Sequence, residues 1–340
     1  MTTALKLTDL KKDFPVGKSL FGPPRAVVHA VQPVTLEVET GETLGIVGES
    51  GCGKSTLARM LVGLLPATEG TIEIEGAALD TADPAAFGKK IQYVFQDPQS
   101  SLNPRKTIRQ IIEAPLKHLH GMAASERAAR IAEIFAAVNL REEFLDRYPH
   151  EFSGGQAQRI GIARALAAEA RILILDEPVS ALDVSVQAQV LNLLADLKAE
   201  FGLTYLFITH DLAVVEAVSD RIAVLYFGAL VELGPAERIF SAPRHPYTRL
   251  LAQSAPVVGQ PLRSHEGRDV ELPDPLNPPI GCAFAKRCPN VLNRCRSESP
   301  ILRSDNAGHA VSCFNPIEHP ASGITGTTAV TVDQFRSGGS

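Results

Sequence analysis

Short apolar segments alternate with segments of helical period through most of this 340-residue chain. Residues 35–65 contain, in succession, an alternating strand pattern, a turn, an apolar strand, a glycine-rich loop and a helical pattern. Helical patterns also cover 124–140 and 185–201. Further short runs rich in branched apolar residues predict buried strands at 90–95, 171–176, 204–209 and 221–228. This alternation predicts an α/β fold with a largely parallel sheet.

Two stretches depart from the alternation. Residues from about 97 to 170 are mainly helical and interrupt the strand order, which predicts an inserted helical subdomain. After about residue 240 the chain becomes rich in proline and turn formers. We therefore expect a main domain over 1–240, a small irregular extension over 241–320 and a flexible tail over 321–340, which lacks helical periodicity.

Composition narrows the class of protein. An apolar fraction of 45% with 21% charged residues is typical of a globular protein, and the net charge of −5 does not favour a nucleic-acid partner. Membrane spans need about 18 consecutive apolar residues, and no run approaches that length. The first residues also lack the apolar core of a signal peptide. We expect a cytoplasmic protein, in which clustered cysteines indicate metal binding more often than disulfides.

The loop "GESGCGKS" at 48–55 fits the G-x-x-x-x-G-K-[ST] phosphate motif between a predicted strand and a predicted helix. Its glycines allow backbone N–H groups to face the phosphates, and the following helix adds its positive end. Lys54 would reach the β and γ phosphates, and the Ser55 hydroxyl would bind Mg²⁺. At Cys52 only the backbone N–H matters, unless the thiol senses oxidants. The residues expected at the nucleotide are Gly48, Glu49, Ser50, Gly51, Cys52, Gly53, Lys54, Ser55 and Thr56.

An apolar strand followed by acidic residues supplies the second half of this site. In "RILILDEP" the strand places Asp176 at its tip, where the carboxylate can hold Mg²⁺. Glu177 follows directly and could polarise the attacking water as a general base. Acidic residues after strands commonly lie in solvated turns, so Asp176 and Glu177 indicate a nucleotide site only together with the phosphate loop.

Four further motifs make the chain resemble the ATP-binding cassette (ABC) proteins, whose fold is that of the P-loop NTPases. "FSGGQAQR" at 152–159 resembles their signature motif, and Gln96 matches their Q-loop. "SALD" resembles their D-loop and includes Asp183, while "THD" supplies a switch histidine, His210. The resemblance implies an ATPase in which two cassettes pair head to tail around two ATP molecules.

In this family, each ATP lies between the phosphate loop of one cassette and the signature of the other. The resemblance therefore implies that Ser153, Gly154, Gly155 and Gln156 serve the partner's nucleotide, with Asp183 at the same interface. It also implies that His210 contacts the γ-phosphate and holds Glu177 and the water in line. Gln96 would touch Mg²⁺ and report its state to the helical subdomain.

The adenine should stack on an aromatic residue that precedes the first core strand. Phe14 is the candidate, but an insertion follows it, and Phe21 or His29 could take the place instead. The other interpretation of Phe14 is a core residue.

Finer motifs indicate one branch of the family. "QDPQSSLNPR", "YPHEFSGGQ" and "HPYT" resemble the ATP-binding subunits of bacterial dipeptide and oligopeptide importers. The resemblance implies a second, different ATPase subunit, two membrane permeases that dock on the helical subdomain, and an external substrate-binding protein. The chain would then lie peripherally at the cytoplasmic face of the inner membrane. Importers of nickel, glutathione or oligosaccharides share these motifs, and soluble cassette ATPases of DNA repair or translation are a more distant alternative.

Four of the five cysteines are gathered in the extension: Cys282, Cys288, Cys295 and Cys313. Their gaps of 5, 6 and 17 residues are longer than those typical of zinc sites, whereas iron–sulfur clusters tolerate varied spacing. The run resembles that of peptide-importer ATPases, some of which are associated with a [4Fe–4S] cluster. Neighbouring basic residues would offset the charge of such a cluster. Zinc, or buried thiols without metal, are the alternatives.

Overall fold

The computed structural model describes residues 2–17, 26–79, 83–254, 272–305 and 308–319. The strands are β1 Thr3–Val16, β2 Ala26–Glu39, β3 Thr43–Val47, β4 Glu69–Ile74, β5 Ala77–Ala78, β6 Ile91–Val94, β7 Ile172–Asp176, β8 Thr204–Ile208, β9 Arg221–Tyr226, β10 Ala229–Pro235, β11 Arg303–Ser304 and β12 Ala310–Val311. The α-helices are α1 Lys54–Leu61, α2 Pro84–Gly88, α3 Pro98–Ser101, α4 Ile108–His118, α5 Ala124–Ala137, α6 Gly154–Ala167, α7 Val184–Phe201, α8 Leu212–Val218, α9 Ala236–Ser241 and α10 Pro246–Ser254. Short 3₁₀ turns occupy Glu142–Phe144, Pro149–Glu151 and Asn293–Arg296.

The larger sheet has the strand order β11-β12-β10-β9-β3-β8-β7-β6. Strands β9, β3, β8, β7 and β6 are parallel, and β10 and β12 continue the sheet in antiparallel pairing. The parallel strands β3, β7 and β8 are buried along their whole length, as expected when helices cover both faces. The predicted α/β fold with a largely parallel sheet is confirmed.

A second sheet, with the order β2-β1-β4-β5, is antiparallel and packs over α1. This sheet was not predicted from the sequence. Strand β1 alternates buried and exposed residues only in part, and its pairing with β2 shifts register at several points, for example between Leu7 and Leu10. Such irregularities interrupt the period-two pattern by which a strand is recognised.

Helices α3 to α6 lie in the stretch predicted to be a helical insertion. Their apolar faces meet in one core that includes Ile112, Ile131, Phe135 and Ile160. Thr107 begins α4 with a capping box, because its hydroxyl accepts from the Gln110 N–H and the Gln110 side chain accepts from the Thr107 N–H. Among the described residues, no helix has both the length and the apolar character needed to cross a bilayer.

The C-terminal extension packs against the main sheet. Strand β12 pairs with β10, and Phe284 lies in the same buried cluster as residues of β3 and β9. Glu232 on β10 is fully buried and accepts hydrogen bonds from the backbone N–H groups of Arg244 (2.7 Å) and His245 (2.9 Å). Its carboxylate also lies 2.6 Å from Nε2 of His309. One buried carboxylate thus joins the main sheet to two separate parts of the extension.

Candidate functional site

The phosphate-motif loop connects β3 to α1 in a tight curl that depends on glycine. Gly48 and Gly53 have φ angles of +155° and +102°. A Cβ at Gly48 would lie 2.2 Å from the carbonyl oxygen of Leu225, and one at Gly53 would lie 2.4 Å from that of Ala30. Both positions therefore exclude other residues for conformational and for steric reasons.

Lys54, the first residue of α1, is buried and directed back into the loop. Its ammonium donates to the carbonyl oxygens of Gly48 at 2.6 Å and Glu49 at 3.0 Å. Cys52 lies nearby and is buried, and burial raises the pKa of its thiol. A protonated thiol is a poor nucleophile, which favours a packing role for Cys52 over redox sensing.

Two oxygen-bearing side chains, those of Ser55 and Asp176, meet beside the loop. The Ser55 hydroxyl at the start of α1 lies 3.5 Å from Oδ1 of Asp176, the last residue of β7. Asp176 is buried, and Tyr93 on β6 donates a hydrogen bond from its phenol to the other carboxylate oxygen. Burial and the neighbouring Asp176 raise the pKa of Tyr93, so the phenol keeps its proton. A hydroxyl beside a carboxylate is a donor set that suits Mg²⁺.

Three residues predicted to be catalytic meet at the carboxyl edge of the parallel sheet. Gln96 follows β6, Glu177 follows β7 and His210 follows β8. The Gln96 side-chain amide donates to Oε2 of Glu177 at 2.8 Å, and Nδ1 of His210 lies 3.0 Å from Oε1. Each oxygen of the Glu177 carboxylate therefore has its own partner. Ligands of open α/β sheets bind at this edge.

The signature residues begin helix α6. Ser153 caps the helix by accepting from the Gln156 N–H, and Gln156 Oε1 accepts from the Ser153 N–H at 3.1 Å. Gly155 lies against α7, where a Cβ would come within 2.5 Å of Val186. Within the described chain, neither Ser153 nor Gln156 forms a hydrogen bond to the phosphate loop. The structure leaves the start of this helix, including Gly154, open to solvent or to another molecule.

Asp183 occupies the corresponding position at the start of α7. Its carboxylate accepts from the Val186 N–H at 3.0 Å and from the Ser185 hydroxyl at 2.7 Å. These hydrogen bonds lower the pKa of Asp183, which keeps it ionised at the helix N-terminus.

Of the three aromatic candidates for adenine stacking, two lie in the described residues. Phe14 on β1 is 37% exposed, with the Lys12 ammonium 5.1 Å from the ring centroid. Nδ1 of His29 lies 2.7 Å from a carboxylate oxygen of Asp13, so that imidazole already has a partner. Phe21 lies outside the described residues. The exposure of Phe14 disfavours its interpretation as a core residue.

The four cysteines of the extension surround a single cavity of about 10 Å³. Burial raises the pKa of Cys282 and Cys313, and that of Cys288 to about 11, so these thiols are protonated at neutral pH. In the part of the chain that the structure describes, no three His, Cys, Asp or Glu side chains are placed to hold a metal ion. The expected iron–sulfur cluster, like the zinc alternative, is thus not supported by the arrangement of these side chains.

Sequence reasoning missed two residues that touch the site. Tyr93, hydrogen-bonded to Asp176, stands inside a strand and looks like an ordinary core aromatic. Arg287, whose guanidinium binds the Glu49 carboxylate, is separated from it by 238 residues. In the sequence, Arg287 is recognisable only as one of the basic residues next to the cysteines, for which a metal cluster predicts the role of counter-ion.

Comparisons with known proteins agree with this geometry. The family model of the ABC transporter matches residues 31–180, and that of the oligopeptide/dipeptide transporter C-terminal region matches residues 231–295. The chain is 47% identical over 318 residues to the dipeptide transport ATP-binding protein DppF of Haemophilus influenzae, covering 92% of this chain and 97% of that protein. It is 48% identical over 319 residues to the oligopeptide transport ATP-binding protein OppF of Escherichia coli, covering 91% and 95%. Among solved structures, the dimeric post-hydrolysis state of the ATP-binding cassette MJ0796, bound to ADP and phosphate, matches with a TM-score of 0.61 at 32% identity. That match covers 68% of this chain and 98% of the other.

Proposed function

The chain belongs to the ABC transporter family of ATPases, and on that premise we propose that it is the ATP-hydrolysing subunit of an importer of dipeptides or oligopeptides. The observation that carries the ATPase part is the convergence of Gln96 and His210 on the two carboxylate oxygens of Glu177. The peptide cargo is supported by the match to the oligopeptide/dipeptide transporter C-terminal region and by the high identity to peptide-transport relatives.

Within the site, Glu177 acts as the general base that takes a proton from the attacking water. His210 keeps the carboxylate in position from one side, and Gln96 does so from the other. Ser55 and Asp176 would hold Mg²⁺, which neutralises phosphate charge when it is bound. The Gln96 amide nitrogen donates to Glu177, and the carbonyl oxygen of the same amide is the atom that would reach the metal. Gln96 can thus couple the nucleotide state to the helical insertion that follows it.

Binding of the triphosphate falls to the loop at 48–56. The backbone N–H groups of the loop and the positive end of α1 attract the anion, and Lys54 carries the full charge that reaches the terminal phosphates. In the structure the Lys54 ammonium donates hydrogen bonds to carbonyl oxygens of its own loop. When ATP binds, these hydrogen bonds are replaced by contacts with phosphate oxygens. Phe14 is the aromatic face offered to the adenine.

We assign the start of α6, with Ser153, Gly154, Gly155 and Gln156, to the ATP bound by a second cassette. The exposed N-terminus of α6 supports this role, because a helix N-terminus attracts anions. Within the described residues, the side chains of Ser153 and Gln156 form hydrogen bonds only between these two residues. Asp183 would border the same interface. The partner is a second, different ATPase subunit, which pairs head to tail with this one.

Two permeases and an external binding protein complete the proposed importer. A groove of about 360 Å³ lies beside β6, where the helical insertion begins, and Leu64, Phe87, Phe95 and Arg164 are among its lining residues. Leu64 is 60% exposed and lines the groove together with Phe87 and Phe95, so the groove presents contiguous apolar surface to a partner. This groove is our candidate for the permease contact, and it would hold the subunit peripherally at the cytoplasmic face of the inner membrane.

The division of labour follows the chain. We assign nucleotide chemistry to residues 1–240 and a bracing role to the extension at 241–320; the tail at 321–340 lies outside the described residues. For the four cysteines we propose packed thiols without a bound metal. A cluster would require the side chains around the 10 Å³ cavity to move apart.

Peptide uptake by cells tests this function. In cells from which the gene is deleted, uptake of labelled dipeptides and oligopeptides should fall at least about tenfold and return with the wild-type chain, but not with Lys54→Ala, which loses the phosphate contact. Loss of nickel, glutathione or oligosaccharide uptake with peptide uptake intact would contradict the peptide cargo. Loss of DNA repair or translation without any transport defect would contradict the importer as a whole.

A further inference from the structure

Two residues of the C-terminal extension contact the phosphate loop at the same residue. The Tyr247 phenol accepts a hydrogen bond from the Glu49 N–H at 2.9 Å. Arg287 donates from Nη1 to one carboxylate oxygen of Glu49 at 2.8 Å and from Nη2 to the other at 2.9 Å. Both the backbone and the side chain of Glu49 are therefore held from outside the main domain.

The Arg287 pair differs from an ordinary surface ion pair. The Arg287 side chain is only 5% exposed, and its guanidinium lies 5.8 Å from the ring centroids of both Tyr226 and Phe284. The rings of Tyr226 and Tyr247 are in turn 4.6 Å apart. The paired contact with Glu49 raises the pKa of Arg287, which is permanently charged. A two-pronged pair on an aromatic floor is rigid, and it loses little to solvent screening.

The Glu49–Arg287 ion pair affects ATP binding because Glu49 lies in the phosphate loop. Glu49 is the second residue of the loop that receives a triphosphate, and its carboxylate brings a negative charge to a site that must attract anions. The ion pair with Arg287 neutralises that charge and directs the Glu49 carboxylate toward the extension. The bond from the Glu49 N–H to Tyr247 also fixes the backbone directly after Gly48, where the loop begins its curl.

We propose that Arg287, assisted by Tyr247, is a positioning residue for ATP binding: it neutralises Glu49 and holds the phosphate loop in its binding conformation. The extension is then part of the nucleotide site, because it supplies the cation that pairs with Glu49. The proposal concerns ATP binding, which the ABC family shares, and does not depend on the peptide cargo.

Equilibrium binding of Mg²⁺–ATP to the full-length chain tests the proposal. Arg287→Gln should raise the Kd about tenfold, because an unpaired carboxylate then faces the phosphates. Arg287→Lys keeps the positive charge but loses the fork, meaning the two parallel hydrogen bonds of the guanidinium, and should raise the Kd by a smaller factor, about threefold. The double variant Glu49→Gln/Arg287→Gln should bind ATP at least about fivefold more tightly than Arg287→Gln, since no charge is left unpaired.

A matched control separates positioning from simple loosening of the extension. Arg244 forms an ion pair within the extension, with Asp305 at 3.3 Å, and touches no residue of the loop. Arg244→Gln should leave the Kd within about twofold of the wild-type value. In the assembled transporter, Arg287→Gln should raise the KM for ATP and leave kcat nearly unchanged, because Glu177 and its two partners are untouched.

Three outcomes would overturn the proposal. The first is an Arg287→Gln protein that binds ATP as tightly as the wild type. The second is a double variant no better than Arg287→Gln, and the third is an Arg244→Gln protein that is impaired equally. Should Arg287→Gln fail to fold, Arg287→Lys decides: a Kd equal to that of the wild type would contradict a role for the fork.

Discussion

Glu177 is held in a backbone conformation that few glutamates adopt. Its φ angle is +48°, in the left-handed region, which costs about 1 kcal/mol for a residue other than glycine. Its N–H donates to the carbonyl oxygen of Ile208 at 2.8 Å, and its two carboxylate oxygens are paired with Gln96 and His210. Three contacts thus stabilise a strained residue at the point where β7 ends.

The four cysteines of the extension give a test at the scale of single residues. Because no three potential ligand side chains of the described residues are placed to hold a metal ion, we expect protein purified without oxygen to contain neither iron nor zinc in stoichiometric amount. Elemental and acid-labile sulfide analysis, with a visible spectrum, measures this directly. About four irons and four sulfides per chain, with absorption lost in Cys288→Ser, would contradict the packed-thiol account.

Motif residues could be predicted one at a time because their chemistry is local. Lys54 and Ser55 begin α1 and Glu177 follows β7, which are positions that a local sequence pattern defines; their roles stay predictions. Tyr93 and Arg287 could not be found in this way. Their importance comes from Asp176 and Glu49, which are distant in sequence and meet them only through tertiary packing.

At the scale of elements, helices α4 and α6 begin with the same device. Thr107 and Ser153 each accept an N–H from a glutamine three residues on, at 3.4 Å, and each glutamine accepts back at 3.1 Å. Both helices therefore begin with the same capping box. The difference between them is position, since α6 carries the signature motif.

This equivalence permits a controlled test of the signature helix. Ser153→Ala and Thr107→Ala should each lower the free energy of unfolding by about 1 kcal/mol, because each loses one cap. Only Ser153→Ala should reduce ATP hydrolysis by the assembled transporter, by about tenfold, since only that hydroxyl is proposed to face the partner's ATP. Equal hydrolysis by the two variants would contradict the assignment of Ser153 to the second nucleotide.

Among the elements, the parallel strands were predictable and the N-terminal antiparallel sheet was not. Strands β7 and β8 are short runs of buried apolar residues, and such runs can be recognised from the local sequence alone. Strand β1 mixes half-buried residues with register shifts, and its partner β4 lies on the far side of α1 in the chain. Its pairing depends on long-range contacts that no local pattern contains.

At the scale of the whole molecule, the extension braces the main domain at two distinct places. The buried Glu232 carboxylate joins it to the edge of the larger sheet, and Glu49 joins it to the phosphate loop. The family resemblance inferred from the motifs is confirmed, as is the fold class. The importer assembly stays a proposal, and the surfaces assigned to it are the start of α6 and the groove beside β6.

The central claim is that ATP hydrolysis at Glu177 drives peptide import, and one measurement tests it most directly. The complex of this chain with its partner ATPase and permeases is reconstituted in vesicles, and ATP turnover is measured with and without peptide-loaded binding protein. We predict stimulation by the loaded binding protein, and with Glu177→Gln a loss of at least about a hundredfold in turnover while ATP still binds. Unchanged turnover with Glu177→Gln, or no response to the peptide, would contradict the account.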